Sequence, residues 1–207
     1  MDITNYDHQF RIILLAGIAA VLPLGMYYRI RSQASGEKLD RLQEGLFILI
    51  GTRAFGLVWW GGFLAFLINP ENMRWSAVAL PLLLRWLGVG LGVPAALLLL
   101  LTFHHLGTNL TNTVVTRKKH TLVTGGPYRW VRHPFYVAAA LAFLAFALIT
   151  ANWFIFITGG GAFLLLVVRT DKEEARLIDR FGDDYRRYMQ RTGRFIPKLK
   201  AGNRDMR

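Results

Sequence analysis

The 207-residue sequence contains no cysteine, and only 13 of its residues are Asp or Glu, against 25 Lys or Arg. The absence of cysteine excludes a disulfide scaffold, a cysteine nucleophile, a thiolate zinc site and a cysteine-ligated iron–sulfur cluster. The sequence also lacks the H-E-x-x-H, G-x-S-x-G and P-loop patterns. It therefore carries none of the short motifs typical of zinc proteases, serine hydrolases or P-loop nucleotide-binding proteins.

The residues that are present make the chain apolar and basic at once. Hydrophobic residues account for 53% of it, charged residues for 18%, and the mean hydropathy is +0.31, yet the formal net charge is +12. A soluble domain carries about 25% charged residues. Because the apolar residues come in long runs, the positive charge does not indicate a soluble nucleic-acid-binding protein, and the composition excludes a disordered or collagen-like chain.

Five apolar runs have lengths near that of a membrane crossing, which takes roughly 20 residues for a hydrocarbon core of about 30 Å. They cover 10–28, 46–68, 86–103, 135–149 and 153–168. The last two are short and nearly contiguous, which predicts a tight helical hairpin in a locally thinned bilayer. The sequence therefore predicts an all-α polytopic membrane protein with five transmembrane helices, a short helical hairpin and a cytoplasmic C-terminal helix.

Basic residues mark alternate connections between these runs. The linkers 29–45 and 104–132 and the tail 169–207 are rich in Lys and Arg, whereas the connection 69–85 holds only Arg74 and, at its end, Arg85, and 150–152 holds neither Lys nor Arg. The positive-inside rule then places the N-terminus outside and the C-terminus in the cytoplasm. No repeat or domain boundary is visible, so we expect one integral-membrane domain over 1–207. The small chain without a sorting signal favours a prokaryotic cytoplasmic membrane.

The first segment with possible chemistry is 120–136, with the sequence HTLVTGGPYRWVRHPFY. Its glycines and Pro127 predict a turn, and Pro134 suits the first turn of the following helix. Aromatic side chains beside a helix start would suit a planar heterocycle with polar substituents. The alternative is an interfacial aromatic belt, from which Arg129 and Arg132 reach the lipid headgroups. The aromatic residues concerned are Tyr128, Trp130, His133 and Tyr136.

The second polar segment is 169–174, RTDKEE, at the end of the fifth run. Arg169 and Glu173 are four residues apart and so share one face of a helix. They either form a surface ion pair, worth about 0.3–0.5 kcal/mol, or present two opposite charges to a zwitterionic ligand at the membrane boundary.

The other polar residues in or beside the apolar runs give weaker indications of a functional site than these two segments. His104 and His105 are adjacent and point about 100° apart on a helix, so they do not predict a metal site. Arg53 lies inside an apolar run and Arg85 between two apolar stretches, so each either reaches the membrane boundary or has a function.

Together, the two polar segments resemble the isoprenylcysteine carboxyl methyltransferase family, which is related to the membrane phospholipid methyltransferases. The shared order is G-P-Y-R-x-V-R-H-P-x-Y, a short hairpin, R-x-x-x-E-E-x-x-L, F-G-x-x-Y-x-x-Y and R-F-I-P, over about 113–197. Each segment alone is a weak motif, but both in this order around a hairpin are a specific signal. One departure is Ala138, at a position where many relatives have glycine.

The resemblance implies a membrane-embedded enzyme that uses S-adenosylmethionine without a Rossmann domain. By the family's pattern, the catalytic residues are Arg169, for a substrate carboxylate, and Glu173. The implied cofactor-binding residues are Thr116, His120, Thr121, Leu122, Val123, Tyr128, His133, Pro134, Phe135, Tyr136 and Glu173.

The charges favour a carboxylate as the methyl acceptor, because a carboxylate is already ionised at pH 7 and needs no general base. We therefore expect methylation of a lipid-like or isoprenylcysteine-type acceptor, with membrane lipids as partners and neither nucleic acid nor metal involved. Two alternatives remain open. One is a phospholipid or small-molecule N- or S-methyltransferase on the same scaffold, and the other is a non-catalytic membrane transport or sensing protein.

Overall fold

The computed structural model describes residues 3–33, 46–106 and 122–198, which are helical over most of their length. Within these ranges there is no β-strand, only two isolated bridges, so the expected all-α architecture is confirmed. The helices are α1 (Ile3–Gln33), α2 (Leu46–Ile68), α3 (Leu82–Leu106), α4 (Pro134–Thr150), α5 (Trp153–Phe181) and α6 (Asp183–Arg191), with 3-10 turns at Pro70–Ser76 and Gly126–Arg129.

Four of the described helices, α1, α2, α3 and α5, are long and apolar enough to cross a membrane. The fifth predicted crossing, α4, has 17 residues. At about 1.5 Å per residue it is roughly 25 Å long, slightly less than the hydrocarbon thickness of about 30 Å. The chain is thus a multi-pass membrane protein with four long spans and one short apolar helix.

Helix α5 differs from the sequence prediction, because it does not end with the apolar run at 168. The whole helix has 29 residues and ends at Phe181, because the polar stretch after the run is rich in good helix formers. Gly182 then adopts φ 54° and ψ −126°, and α6 begins in a new direction. The C-terminal helix that the sequence predicts after the fifth run is therefore divided at Gly182 into the end of α5 and the separate helix α6.

The tight turn of the α4–α5 hairpin is confirmed. Ala151 ends α4 in a left-handed conformation with φ 47°. The Asn152 side chain accepts the Ile155 N–H at 3.1 Å, which caps α5, and its amide donates to the carbonyl of Met73 at 3.1 Å and the hydroxyl of Ser76 at 2.9 Å. The hairpin turn is thereby fixed to the Pro70–Ser76 turn.

Arg85 has a structural role at the same end of the molecule. Its Nε and Nη2 donate to the carbonyl oxygen of Ile149, near the end of α4, at 3.0 and 2.9 Å. Its Nη1 lies 2.7 Å from Oδ1 of Asp7 in α1. A helix leaves its last carbonyl groups unpaired, and here a buried guanidinium satisfies one of them and connects three helices. Arg53, the other arginine in an apolar run, is exposed.

Close packing brings α3, α4 and α5 together. A Cβ on Gly88 of α3 would lie 2.8 Å from Cβ of Leu148 and 3.0 Å from the carbonyl oxygen of Ala145, both in α4. On α5, Gly159 lies against the Trp59 indole of α2. This packing holds the segment before α4 beside the polar end of α5.

Candidate functional site

The two polar segments identified in the sequence meet at the end of the bundle opposite the hairpin turn. Tyr136, in the first turn of α4, donates its hydroxyl to Oε2 of Glu173 in α5 at 2.9 Å. Nε2 of His133, directly before α4, lies 3.1 Å from Oε1 of Glu174. These contacts connect residues about 40 positions apart in the sequence. The two adjacent glutamates therefore have different partners.

Glu174 is the buried member of the pair, and cationic side chains contact both of its oxygens. Arg132 Nε lies 2.8 Å from Oε1, the atom also contacted by His133, and Arg194 Nη2 lies 3.5 Å from Oε2. Arg132 donates further to the carbonyl oxygens of Met189, at 3.3 Å, and Thr192. A buried carboxylate is tolerated only with such compensation. Glu174 thus joins α5, the start of α4 and the end of α6.

Glu173 is only partly buried. The Tyr136 hydroxyl that donates to Glu173 is neutral, so it does not balance the negative charge of the carboxylate. Burial and, next, the charge of Glu173 raise the pKa of Tyr128 above its ordinary value. Tyr128 is therefore a neutral phenol at pH 7 in the electrostatic field of Glu173. The site combines one carboxylate with two tyrosines, a set suited to the ammonium group of a ligand.

Tyr185 and Tyr188 attach α6 to this site. Both are buried, and the Tyr188 hydroxyl donates to the carbonyl oxygen of Tyr128. Burial raises the pKa of each tyrosine, so both remain neutral hydrogen-bonding groups. The turn that carries Tyr128 is thus hydrogen-bonded to α6.

The chain after α6 returns to the site and pairs with the residues directly before α4. The backbone N–H of Arg132 donates to the carbonyl of Gly193 at 2.8 Å, and that of His133 donates to the carbonyl of Arg194 at 3.1 Å. The Phe195 ring centroid then lies 5.8 Å from that of His133. The site is consequently bordered by a segment that follows the predicted residues in the sequence by about 60 positions.

The remaining predicted residues are distributed around this cluster. Leu122 and Val123 are half-buried in the irregular stretch before the Gly126–Arg129 turn, and Pro134 is buried. Phe135 is more exposed and stacks on Phe103 of α3 with a centroid distance of 6.1 Å. Arg169 is half-buried on α5, one helical turn before Glu173. The predicted residues Thr116, His120 and Thr121 lie outside the described residues.

Sequence reasoning missed three residues of this arrangement. Arg132, Glu174 and Phe195 belong to the motifs that carry the resemblance, but the sequence assigns none of them to the site, and a headgroup contact is the one alternative that it offers for Arg132. The sequence contains a signal for two of them, because Arg132 directly precedes His133 and Glu174 directly follows Glu173. Neighbouring residues on a helix point about 100° apart, but the sequence alone does not show which of two adjacent glutamates faces the interior.

The donor set does not indicate a metal. Among residues 3–33, 46–106 and 122–198, no three His, Cys, Asp or Glu side chains are grouped so that they could hold an ion. The partly buried groups instead fit an organic ligand with a cationic and a planar part, for which Glu173 provides a negative charge and Phe195 an aromatic ring.

Residues 88–179 match the model of the isoprenylcysteine carboxyl methyltransferase (ICMT) family, which confirms the resemblance seen in the sequence. The cobalt-zinc-cadmium resistance protein CzcN of Cupriavidus metallidurans is 32% identical over 109 residues, or 49% of this chain and 50% of that protein. Methanethiol S-methyltransferase 1 of Bradyrhizobium diazoefficiens is 39% identical over 70 residues, or 34% of this chain and 24% of that protein. The protein-S-isoprenylcysteine O-methyltransferase of Homo sapiens is 32% identical over 117 residues, or 48% of this chain and 36% of that protein.

The chain therefore spans half or less of the length of these curated relatives. Its fold is also similar to the solved structure of the eukaryotic intramembrane Ras methyltransferase ICMT, with a TM-score of 0.52 over 87% of this chain and 60% of that one. The sequence identity there is 21%, so this similarity concerns the fold alone. It agrees with the multi-helix membrane architecture described above.

Proposed function

We propose that this chain, which belongs to the isoprenylcysteine carboxyl methyltransferase family through its residues 88–179, is a membrane methyltransferase that uses S-adenosylmethionine. The observation that carries the proposal is the hydrogen bond that joins the two polar segments, in which the Tyr136 hydroxyl donates to Oε2 of Glu173 at 2.9 Å. The cofactor, when bound, supplies an activated methyl group on a sulfonium. The task of the protein is then to hold this group in line with an acceptor.

Glu173 is proposed to bind the ammonium group of the cofactor's methionyl part. The carboxylate lies at the polar end of a long apolar helix, where a water-soluble cofactor can reach it from one side of the membrane. Glu174 does not compete for this role, because Arg132, His133 and Arg194 already contact its two oxygens. The further proposed cofactor contacts are Thr116, His120, Thr121, Leu122, Val123, Tyr128, His133, Pro134, Phe135 and Tyr136.

Arg169 is proposed to hold the carboxylate of the acceptor. It lies one helical turn nearer the apolar part of α5 than Glu173, so an acceptor bound there keeps its lipid chain in the bilayer. With the cofactor bound, Arg169 would hold an acceptor carboxylate oxygen towards the methyl group that the sulfonium supplies. No proton moves, because the carboxylate is ionised before the reaction. The acceptor class is a lipid-like or isoprenylcysteine-type carboxylate.

A second candidate is S-methylation of a small thiol, which the similarity to a methanethiol S-methyltransferase favours. A thiol has a pKa of about 8.5 and must lose its proton to become a good nucleophile. Arg169 cannot accept that proton, because a guanidinium remains protonated in proteins. The position of Arg169 therefore favours the carboxylate acceptor over the thiol.

The site is proposed to face the cytoplasm of a prokaryotic cell, with the N-terminus of the chain outside. The basic linkers and tail support this orientation through the positive-inside rule. The same orientation gives the site access to a cytosolic cofactor.

Transfer of a labelled methyl group tests the proposal. The purified chain in lipid vesicles is incubated with methyl-labelled S-adenosylmethionine and, separately, a farnesylated cysteine analogue, methanethiol or phosphatidylethanolamine. We expect label in the farnesylated carboxylate and loss of that label in the Glu173→Gln variant. Label in methanethiol alone would establish the second candidate, and absence of both cofactor binding and transfer would contradict an enzymatic function.

A further inference from the structure

We infer that Phe195 forms one wall of the cofactor site and contacts the planar adenine ring of the bound cofactor. This inference rests on the proposed function and deepens it. Phe195 belongs to residues 192–195, which we name the C-terminal strap. The strap lies beyond residues 88–179, the part of the chain that matches the family. It includes the first two residues of the R-F-I-P motif, Arg194 and Phe195, to which the resemblance assigns no role.

Backbone hydrogen bonds define the position of the strap. Val131 and Gly193 form a parallel bridge. Arg132 and His133 donate their N–H groups to successive carbonyls of the strap, at 2.8 and 3.1 Å. Because a parallel pair fixes which residues lie side by side, the strap residue after this ladder, Phe195, is placed beside the start of α4.

The Phe195 side chain faces the predicted cofactor contacts. Its ring centroid is 5.8 Å from that of His133 and 6.5 Å from that of Tyr136, and the ring planes of Phe195 and Tyr136 are nearly perpendicular at 89°. Phe195 is half-buried, whereas the next residue, Ile196, is 80% exposed. The aromatic ring is thus the inward-facing side chain of the strap.

Charged side chains hold the strap at Thr192 and at Arg194. Arg132 bonds the carbonyl oxygen of Thr192, at the first residue of the strap, while it pairs with Glu174. Arg194, within the strap, contacts Glu174 at 3.5 Å and also pairs with Asp171. Because these contacts come from both α5 and the start of α4, the position of Phe195 is coupled to the two elements that carry the proposed cofactor contacts.

Gly193 is required by the shape of the strap. A Cβ at this position would overlap the carbonyl oxygen of Ile196, so alanine would displace the chain next to Phe195. Gly160 in α5 offers a matched control, because a Cβ there meets nothing within 4 Å. The same glycine-to-alanine change can therefore be compared with and without displacement of the strap.

The rings of His133, Tyr136 and Phe195 form an aromatic cluster, in which His133 and Tyr136 are buried and Phe195 is the partly exposed ring that a planar ligand can reach. Stacking of a base on an aromatic side chain typically changes affinity by about 5- to 150-fold when the side chain is removed. Glu173, in contrast, is proposed to recognise the amino-acid end of the cofactor. The two contacts should therefore respond differently to ligands that keep or lack that end.

The test measures dissociation constants of S-adenosylhomocysteine and of methylthioadenosine, which keeps the adenine ring but lacks the amino acid. We expect Phe195→Ala to weaken both by about 10-fold or more. Phe195→Trp should retain most of the affinity, and Ile196→Ala should change it less than about 2-fold, as expected for an exposed side chain. Gly193→Ala should weaken both ligands, whereas Gly160→Ala should not. Glu173→Gln should weaken S-adenosylhomocysteine alone.

Limited trypsin digestion of the wild-type chain gives a second readout that needs no variant. Binding of S-adenosylhomocysteine should slow cleavage after Arg194, within the strap. Wild-type binding without such protection, or with an unchanged affinity in Phe195→Ala, would overturn the role of Phe195 and leave the proposed function intact. Absence of binding by the wild-type chain would instead overturn the proposed function, and the role of Phe195 with it.

Discussion

Oε1 of Glu174 lies 2.8 Å from Nε of Arg132 and 3.1 Å from Nε2 of His133. A single buried carboxylate oxygen thus joins the polar end of α5 to the residues directly before α4. Its sequence neighbour, Glu173, contacts Tyr136 instead. The pair divides into a glutamate that organises the site and a glutamate that we propose binds a ligand, and this division makes the two residues separable by mutation.

The first prediction compares Glu173→Gln with Glu174→Gln. Removing the proposed ammonium partner should cost roughly 2–5 kcal/mol of binding, or about 30-fold or more in the dissociation constant of S-adenosylhomocysteine. Removing the charge of Glu174 leaves Arg132 buried without its carboxylate and should cost roughly 3–5 kcal/mol of stability. Calorimetry of binding and thermal unfolding in detergent measure the two effects. Identical profiles for the two variants would refute the division of roles.

The second prediction concerns Arg169. Arg169→Gln should reduce turnover of a carboxylate acceptor and leave the affinity for S-adenosylhomocysteine nearly unchanged, because its proposed partner is the acceptor. Lys172→Gln is the control, since Lys172 is an exposed cation on the same helix. Steady-state kinetics with the farnesylated cysteine analogue give the measurement.

A charge exchange then tests whether Arg169 and Glu173 form only an ion pair. The double variant Arg169→Glu with Glu173→Arg would restore a simple ion pair but not two separate ligand contacts. We expect it to remain inactive. Recovered activity in this variant would argue against both proposed ligand contacts.

The third prediction concerns packing between α3 and α4. Gly88→Ala should destabilise the chain by about 1–3 kcal/mol, because its Cβ would lie 2.8 Å from Cβ of Leu148. Gly90→Ala, two residues later on α3, has open space around its Cβ and should be tolerated. Thermal unfolding of the purified variants in one detergent compares them. Equal stability of the two variants would contradict the close approach of these helices.

The fourth prediction concerns orientation and uses the absence of cysteine, which gives a labelling experiment without background. Glu71 and Asp184 are exposed and lie at opposite ends of α5, one beside its first turn and one beyond its last. In intact cells, a membrane-impermeant maleimide should label Glu71→Cys, and it should label Asp184→Cys only after permeabilisation. The reverse pattern would place the proposed site on the outer side, away from a cytosolic cofactor.

The apolar runs predicted helix positions well where apolar composition alone decides them. The bounds of α2, Leu46–Ile68, coincide with a predicted run, and the turn at Ala151 and Asn152 lies where the hairpin was expected. The extension of α5 through a polar stretch was missed, because helix propensity rather than apolarity continues a helix outside the membrane. The end of α5 depends on the backbone conformation at Gly182, which the pattern of apolar and polar residues around it does not reveal.

The site residues were predicted as far as local motifs reach. Tyr136 and Glu173 come together as the motif order suggested, since a hairpin brings its two ends to one side. The links from Arg132 to Thr192 and from His133 to Arg194 span about 60 residues, and they depend on how α6 folds back. Similarly, the sequence left the role of Arg85 open, because only the packed helices show that it reaches both Asp7 and Ile149.

The most direct measurement is the alkali stability of the methyl group that the chain transfers in its own membranes. Membranes containing the wild-type chain are supplied with methyl-labelled S-adenosylmethionine, and the lipid extract is treated with base. Carboxyl methylation predicts label that base releases as volatile methanol, and it predicts that Arg169→Gln membranes lack this fraction. Label that resists base, as N-methyl and S-methyl products do, or equal release from both membranes, would contradict methylation of a carboxylate at this site.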